Sequence, residues 1–421
     1  MASPHDGTDR ATVTSRPNRG GTIPVPTTTR GQQRSEQIVR AAAFLFQETG
    51  YQNVSIDQIG AAVGLTGPAV YRHFKGKYGI LVRALRDQVD LVEQLTLHAD
   101  TTGETPAQQL ELFLDGLADI TANGDESTLW RREQRHLEVA EQHEMVDYFR
   151  GFRDYIAGKI VAADPTVTPD RAELLGFAVL TVFSNTSTIR GNLQPDRLIQ
   201  LQKAVFHAII SCPLPEPAPD AQPERKPVPW RPAGRRERII EVSTQLFDER
   251  GFYDVRIDDI ARAAEMSVAT LYQHVSGKAQ VLRAILERGA EGLLYVSADA
   301  LAMAGNAHEA LDALIRVYVR QALGIHGRIM HILTRDLLYL SEDEQVSLRE
   351  TQREYVAEWV DAIRTLSGNL SGPEARALAH AVIGVLTDVT QAPDLRARPG
   401  IGDELVALAH AIALPTELID S

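Results

Sequence analysis

An internal repeat is the feature that most constrains how this chain of 421 residues can fold. A shift of 201 residues aligns residues 36–85 with residues 237–286 without a gap, and 17 of the 50 aligned positions are identical. Weaker matches continue downstream, where Arg132-Glu133 resembles Arg335-Asp336 and Arg153-Asp154-Tyr155 resembles Arg353-Glu354-Tyr355. The repetition predicts two copies of a whole domain, in agreement with a length beyond what one hydrophobic core usually organises.

The composition between the two copies predicts a linker. Residues 212–233 contain eight prolines, which favour extended polyproline conformation over a packed core. This places a first domain at residues 34–211 and a second at residues 234–418. Residues 1–33 are rich in Thr, Gly, Arg and Pro without periodicity, so they are expected to form a disordered arm.

The start of each copy has the pattern of short helices joined by tight turns. Apolar residues recur at three- and four-residue spacing up to Gly50, a typical helix C-terminal breaker. Ser55 with Gln58 forms a capping-box signature before a short second helix that ends at Gly64. Thr66 can cap a third helix, and a fourth is expected to start around Lys77. Two short helices with such a turn are typical of the helix-turn-helix that enters the DNA major groove.

The rest of each copy is predicted to be helical as well. The helix-turn-helix parts are expected at about residues 35–80 and 236–281. The remaining segments, about 85–211 and 286–418, keep the apolar spacing of amphipathic helices. The chain is therefore predicted to be all-α.

The residues of the helix-turn-helix closely resemble the TetR family of transcriptional regulators. The resemblance lies in Gly64-Leu65-Thr66-Gly67-Pro68-Ala69-Val70-Tyr71-Arg72-His73-Phe74 with Lys77, and in Met266-Ser267-Val268-Ala269-Thr270-Leu271-Tyr272-Gln273-His274-Val275 with Lys278. It implies two tandem TetR-like domains, each a three-helix DNA-binding part followed by a helical body for ligand binding and dimerisation. Tandem proteins of this size are similar to actinobacterial repressors of mammalian-cell-entry and lipid operons.

The resemblance also implies which side chains contact double-stranded operator DNA. Hydrogen bonds and charge to phosphates are expected from Tyr71, His73, Lys77, Tyr272, His274 and Lys278. Contacts to bases are expected from Thr66, Gly67, Arg72, Ser267, Val268, Thr270 and Gln273, which lie at the groove end. Ser55 and Arg256 complete the predicted set. The alternative for the two tyrosines is that their rings pack on the first helix.

The second copy departs from the pattern at three positions. Glu265 stands where the first copy has Gly64, and a non-glycine residue at positive φ costs roughly 1 kcal/mol. Arg256 replaces a capping serine, and Val275 replaces the bulkier Phe74. One hypothesis is that both copies contact DNA. The alternative is that the second copy has become a dimerisation or effector-protein module.

The two recognition helices differ at most exposed positions, which bears on symmetry. Two identical chains recognise a palindrome, whereas a covalent repeat can supply two different halves. We expect residues 170–210 and 374–414 to form a pseudo-symmetric four-helix interface inside one chain, giving a monomer on a non-palindromic site. The alternative is a homodimer on a palindrome.

The helical bodies are predicted to hold an effector pocket, as the resemblance implies. Candidate lining residues are Trp130, His136, Tyr148, Phe152, His331, Tyr339, Tyr355 and Trp359. Their alternative role is as core aromatics with an occasional satisfied polar group. The effector implied is a lipid, sterol or acyl-CoA derivative. The repeated pair Arg132-Glu133 and Arg335-Asp336 is interpreted as a structural ion pair.

Charge and composition bear on the class of protein. The net charge is −13, but Lys and Arg exceed Asp and Glu by 7 − 5 = +2 over residues 34–90 and by 12 − 9 = +3 over residues 225–290. The acidic excess thus lies outside the motifs that must approach phosphates. The single cysteine, Cys212, excludes an internal disulfide and a cysteine-rich metal site. Neither a signal core nor a membrane-spanning stretch is recognisable, so a cytoplasmic location is expected.

Catalytic motifs are missing from the sequence. It contains no glycine-rich phosphate loop, nucleophile elbow or metal-spaced His/Cys cluster. We therefore expect neither enzymatic activity nor a cofactor or metal. The sign of regulation, repression or activation, stays open.

Overall fold

The computed structural model describes residues 30–123, 129–217, 232–324 and 327–419. Within these ranges the chain is helical and contains no β-strand, which confirms the predicted all-α class. No helix in the same ranges is both long and apolar enough to cross a membrane.

The described part of the first repeat consists of ten helices. They are α1 (Arg30–Thr49), α2 (Ile56–Ala62), α3 (Gly67–Val70), α4 (Lys77–Thr102), α5 (Pro106–Asn123), α6 (Leu129–Glu133), α7 (Val139–Ala163), α8 (Pro169–Ser184), α9 (Thr186–Arg190) and α10 (Pro195–Ile210). The first helix ends before Gly50 and the fourth begins at Lys77, both as predicted.

The second repeat follows the same order of helices and adds one. They are α11 (Arg235–Arg250), α12 (Ile257–Ala263), α13 (Val268–Tyr272), α14 (Lys278–Leu301), α15 (Ala307–Leu323), α16 (Gly327–Asp336), α17 (Glu342–Ser367), α18 (Gly372–Gln391), α19 (Pro393–Arg396), α20 (Ile401–Ala413) and α21 (Thr416–Ile419). Two copies of one architecture therefore stand in series along the chain.

The first helix begins earlier than the sequence pattern indicates. It starts at Arg30, so residues 30–33, predicted as the end of a disordered arm, are helical. Local bonds stabilise this polar start, because the Ser35 hydroxyl donates to the Gly31 carbonyl (3.1 Å) and Arg34 donates to Gln37 (2.8 Å). The remainder of the predicted arm, residues 1–29, lies outside the described residues.

The predicted linker at residues 212–233 also begins as packed structure. Cys212 and Leu214 are buried, and the Arg171 guanidinium donates to the Pro215 carbonyl at 2.8 Å. The apolar side chains thus attach the start of this segment to the first body. Residues 218–231 lie outside the described residues.

Two hydrophobic clusters divide the molecule unevenly. One runs continuously through the first repeat and into the body of the second. The other is smaller and consists of the second DNA-binding part with α16 and residues next to it. The two bodies therefore share a core, whereas the second helix-turn-helix part has its own.

The repeats meet through six helices, α8, α9 and α10 from the first and α18, α20 and α21 from the second. Apolar residues of all six belong to the continuous cluster. At the edge of this contact Arg197 forms an ion pair with Glu374, whose side chain is nearly buried. His207 on α10 lies between Glu111 and Glu417, 2.8 Å from the latter.

Candidate nucleic-acid interface and ligand cavity

Each repeat begins with a helix-turn-helix whose first short helix is capped differently. In the first copy the Ser55 hydroxyl accepts the Gln58 N–H (3.2 Å) while Gln58 accepts the Ser55 N–H (2.7 Å). An arginine side chain has no acceptor, so at Arg256 only the second half of this exchange remains, from its N–H to Asp259 (3.0 Å). Both residues thus begin a helix, and their DNA contact stays a prediction.

The turn before each recognition helix uses the left-handed backbone region. Gly64 has φ 67°, and Glu265 at the matching position has φ 55°. Glu265 is the one non-glycine residue with positive φ among the described residues. The prediction of a strained turn in the second copy is confirmed, and the turn keeps its shape despite the side chain.

The recognition helices, α3 and α13, begin with residues that serve packing. A Cβ atom on Gly67 would lie 2.1 Å from a carboxylate oxygen of Asp57, so a larger residue there would require the exposed Asp57 side chain to move. Gly67 is buried, which argues against its predicted contact with bases. Val268, the matching residue, is half-buried against the apolar cluster of the second copy.

One of the predicted base-contacting hydroxyls, that of Ser267, caps α13 and contacts another, that of Thr270. The Ser267 hydroxyl accepts the Thr270 N–H at 3.0 Å, and the two side-chain oxygens are 2.9 Å apart. Thr66, which begins α3, makes no such side-chain bond and is exposed. The two copies therefore present different hydroxyl arrangements at the same place.

Exposed side chains remain available at both recognition helices. Tyr71 is 58% exposed and Tyr272 is 53% exposed, so the alternative of rings packed on the first helix does not describe them. Arg72 and Gln273, at matching positions, are exposed as well. The exposed side chains available for DNA contact are therefore Thr66, Tyr71 and Arg72 in the first copy. In the second copy they include Tyr272 and Gln273.

The predicted phosphate-binding histidines are half-buried. His73 Nδ1 lies 3.0 Å from the hydroxyl of Ser35 on α1. In the second copy the Nε2 atom of His274 is buried and forms no hydrogen bond with the described residues. Both rings thus contribute to packing, and a phosphate contact by either stays a prediction.

The two matching lysines bind backbone carbonyls of their own repeat. Lys77 Nζ donates to the carbonyls of Tyr51 (2.6 Å) and Val54 (2.8 Å), and Lys278 Nζ donates to that of Phe252 (2.7 Å) and to two others. Each ammonium lies 4.3 Å from the centroid of the ring at the matching position, Tyr51 or Phe252. Burial lowers the pKa of both lysines, and nearby carboxylates offset this only in part. This geometry argues against phosphate contact as their main role.

A buried carboxylate completes the same arrangement in each repeat. Glu133 accepts the N–H of Tyr51 at 3.3 Å, and Asp336 accepts that of Phe252 at 3.2 Å. We call the lysine and the carboxylate together the loop anchor, which is Lys77 with Glu133 in the first repeat and Lys278 with Asp336 in the second. It joins the loop after the first helix to α6 or α16 of the body.

The arginine that precedes the second carboxylate binds the same region. Arg335 donates to the Asp248 carbonyl at 3.0 Å, near the C-terminal end of α11. The predicted ion pair between Arg335 and Asp336 stays a prediction, whereas the contacts shown for Arg335 are to Asp248 at the end of the first helix of its repeat. The repeated Arg-acid sequence indicated that these residues matter structurally, but it did not indicate which residues they contact.

The body of the second repeat contains a cavity of about 690 Å³. This volume falls within the range of about 300–1,000 Å³ typical of small-molecule sites. Helices α14 to α18 form most of its wall, and Asn185 and Thr188 of the first repeat complete it. Its interior includes Tyr318, Tyr355 and His380. Burial, helped by a nearby arginine, lowers the pKa of His380 to about 4, so the imidazole is neutral at pH 7.

The four aromatic candidates of the second body differ in position. Tyr355 lines the cavity. Trp359 is fully buried in the core, with its ring centroid 6.2 Å from that of Tyr355. His331 binds a carboxylate of α11 at 2.8 Å, and Tyr339 stacks on Phe252 at 5.6 Å. Of these four, only Tyr355 is among the residues that line this cavity.

The candidates of the first body either line an open recess or pack against other rings, as far as the described residues show. Tyr148 and Phe152 line an open recess of about 500 Å³. Trp130 stacks on Phe149 with centroids 4.8 Å apart, and His136 lies against the Tyr51 ring at 5.1 Å. Trp130 and His136 line neither of the two cavities described here. His136 on Tyr51 and Tyr339 on Phe252 occupy matching places in the two repeats.

Comparison with known proteins identifies the helix-turn-helix parts. A family model described as bacterial regulatory proteins, tetR family, matches residues 38–84 and 239–285. The regulator Mb3439c of Mycobacterium bovis is 30% identical over 181 residues, which cover 41% of this chain and 86% of that protein. The repressor KstR2 of Mycolicibacterium smegmatis is 26% identical over 137 residues, or 32% of this chain and 66% of that protein.

Other similarities are more local. The Tn10 TetC protein of Escherichia coli is 34% identical over 91 residues, 21% of this chain and 46% of that protein. The chain spans half or less of the length of several curated relatives that it matches. A solved TetR-family regulator from Bordetella parapertussis aligns with a TM-score of 0.39 at 21% identity, covering 44% of this chain and 96% of that one.

Proposed function

The chain belongs to the tetR family of bacterial regulatory proteins, and on this premise we propose that it represses transcription by binding one non-palindromic operator with both of its repeats. Each chain then acts as an intrachain pseudo-dimer in the cytoplasm, where its operator lies. A small-molecule effector releases it from DNA.

The observation that carries this proposal is the packing of α8 and α10 against α18 and α20 inside one polypeptide. These helices overlap the predicted interface ranges, 170–210 and 374–414, although α8 and α18 begin one and two residues earlier. Their apolar faces share one continuous core, so the chain already covers the surface that a second chain would need.

Differences between the recognition helices support a site with two unlike halves. The first copy exposes Thr66 and Arg72. The second exposes Gln273, and its Ser267 hydroxyl is engaged in capping α13. Arginine typically pairs with guanine, whereas glutamine typically pairs with adenine. Two helices with these side chains favour different half-sites, and a palindrome would satisfy only one of them.

A second candidate function has a specific observation in its favour. Glu265 holds a strained turn, and His274 has a buried nitrogen without a hydrogen-bond partner among the described residues. Both features suit a second copy that has lost DNA contact and serves dimerisation or an effector protein. This candidate predicts a homodimer bound to a palindrome.

Repression follows from promoter occupancy, and effector control follows from the cavity. A ligand that prefers one arrangement of the two DNA-binding parts shifts the chain toward it. The cavity touches α14 and α16, and these helices join the second DNA-binding part to its body. We propose a lipid-derived effector, such as an acyl or sterol derivative.

The decisive experiment is the mass of the protein on DNA selected from a random pool, measured by light scattering after gel filtration. One chain of 46.3 kDa on an asymmetric fragment is the expected result. Two chains on a palindrome would overturn the proposal in favour of the second candidate.

Single substitutions test the same point. Tyr71→Ala and Tyr272→Ala are each expected to weaken operator binding roughly tenfold, since each removes a contact to the DNA backbone. Tyr295→Ala, an exposed tyrosine on α14 away from the recognition helices, is the control. Unchanged affinity in Tyr272→Ala would show that the second copy does not contact DNA.

A further inference from the structure

The opening of the second-body cavity is positively charged. Arg349, Arg353 and Arg376 line it and are exposed, and none of its described lining residues is acidic. Arg288 also lines it, but two bonds of 2.6 and 2.9 Å to Glu237 compensate its charge. Three arginines without ion-pair partners among the described residues are unusual in a chain of net charge −13. They create a local attraction for anions.

In the first repeat, the residues that correspond to Arg353 and Tyr355 are bound by carboxylates of the same repeat. Arg153 on α7 forms an ion pair with Glu173 on α8 at 2.7 Å. The Tyr155 hydroxyl donates to Asp100 at 2.9 Å, and Lys159 Nζ lies 2.6 Å from the same carboxylate. Arg153, Tyr155 and Lys159 therefore all have partners within the first repeat.

The second repeat keeps the arginine and the tyrosine but has lost both carboxylates. Alignment of α8 with α18 on their buried faces matches Glu173 with Arg376. The ungapped alignment of α4 with α14 matches Asp100 with Leu301. Arg353, the counterpart of Arg153, therefore faces a second arginine where the first repeat has a glutamate.

The tyrosine of this repeat has no carboxylate acceptor and lies beside two other buried polar groups. Tyr355 is buried and lines the cavity, and its hydroxyl interacts with the hydroxyl of Ser297 and the indole N–H of Trp359. None of these three polar atoms makes a hydrogen bond of good geometry within the described residues. Contacts between neutral groups thus take the place of the bond from Tyr155 to Asp100 in the first repeat. Burial raises the pKa of Tyr355, so its hydroxyl stays a neutral donor.

The first repeat forms part of the wall of the same cavity. A Cβ atom on Gly384 would lie 3.1 Å from the Asn185 amide nitrogen, so the two repeats are in close contact here. That nitrogen also approaches Asp388 of α18 at 3.4 Å. A molecule in the cavity touches both repeats at once.

We propose that the second body binds one anionic amphiphile per chain, with its acidic head on Arg353 and Arg376 and its apolar part toward Tyr318 and Tyr355. The head is a carboxylate or a phosphate, since a guanidinium group binds either in the same way. The first body binds none, because Glu173 and Asp100 take the place of the ligand anion. The effect on DNA rests on the function proposed above, whereas the binding site does not.

Titration calorimetry of the full chain with ten-carbon probes of different charge tests the site. Decanoate and decyl phosphate are expected to bind with one molecule per chain, and their relative affinities identify the preferred head. Decanol is expected to bind at least about tenfold more weakly, and decyltrimethylammonium not at all. Equal affinity for decanol, or two anions per chain, would overturn the proposal.

The substitution Arg376→Glu recreates the ion pair of the first repeat and should close the site. We expect it to weaken decanoate binding about tenfold or more without loss of folding, since Arg153 and Glu173 already form this pair in the same architecture. Arg364→Glu, an exposed arginine of α17 outside the cavity, is the matched control for net charge. An equal loss in both variants would reduce the effect to long-range charge and overturn the proposed head site.

Operator binding separates this inference from the proposed function. If decanoate binds as expected but operator affinity does not change, the site stands and effector control of repression fails. If the chain binds its operator but no amphiphile, the proposed function stands without this site.

Discussion

At the scale of single residues, the matching positions 64 and 265 show that the turn before the recognition helix forms with either glycine or glutamate in the left-handed conformation. Gly64 and Glu265 have φ of 67° and 55°, and both turns lead into a short recognition helix. Surrounding contacts must therefore hold Glu265 in a conformation that L-residues avoid by roughly 1–2 kcal/mol. The second copy carries this strain, while the first avoids it with glycine.

We predict opposite effects of substitutions at this pair of positions. Glu265→Gly should raise the free energy of unfolding by about 0.5–1 kcal/mol because the left-handed strain disappears, less the entropy cost of glycine. Gly64→Ala should lower it by about 1 kcal/mol, because no Cβ clash occurs there and only the backbone conformation is penalised. Urea unfolding followed by circular dichroism measures both. A neutral Gly64→Ala would contradict the assignment of strain to φ.

At the scale of elements, the loop anchor gives the two matching lysines a structural role in place of the phosphate contact that the family resemblance implies. Lys77 and Lys278 begin α4 and α14, where the family resemblance implies phosphate contact. Their ammonium groups instead satisfy the carbonyls of the loop after the first helix, and Glu133 or Asp336 satisfies an N–H of that loop. Three segments of each repeat are thereby joined.

Replacing the lysine of the loop anchor should therefore lower the free energy of unfolding without changing the salt dependence of operator binding. Lys278→Met leaves three carbonyls without their charged donor, and we expect a loss of about 2–3 kcal/mol in the free energy of unfolding. The salt dependence of operator binding should keep its slope, since no phosphate contact is lost. Lys75→Met, at an exposed position before α4, is the matched control. A stable Lys278→Met with a smaller salt slope would restore the phosphate role.

At the scale of the whole molecule, the connection between the repeats is non-covalent as well as covalent. The continuous hydrophobic cluster crosses from α8 and α10 to α18 and α20, and the ion pair of Arg197 with Glu374 lies at its edge. Burial of this kind does not depend on the proline-rich segment between the domains.

Cleavage of the chain between the repeats should therefore leave them associated. A protease site inserted after Gln222 should yield two fragments that elute together in gel filtration at the mass of the intact chain. Gly384→Leu should separate them after cleavage, because its side chain would displace Asn185 at the contact. Fragments that separate without that substitution would contradict the intrachain interface.

The sequence by itself determined the features that depend on neighbours a few residues apart. The break at Gly50, the capping box of Ser55 with Gln58 and the turn at positions 64 and 265 were all predictable, because such caps and turns are local. Repetition of these signals then determined that two domains of one family stand in series.

Only the tertiary structure decided where long-range partners meet. Gly67 is buried because Asp57 of the preceding helix lies against it, and Lys77 is turned away from phosphates by carbonyls more than twenty residues earlier. The sequence also did not determine the surroundings of the similar segments around Tyr155 and Tyr355. Tyr155 is bonded to Asp100 beside an open recess, whereas Tyr355 lines a cavity with several arginines. The difference between the two repeats comes from Asp100 and Glu173, which lie on other helices than the residues they bind. A local sequence pattern cannot predict which side chains of other helices a given helix will face.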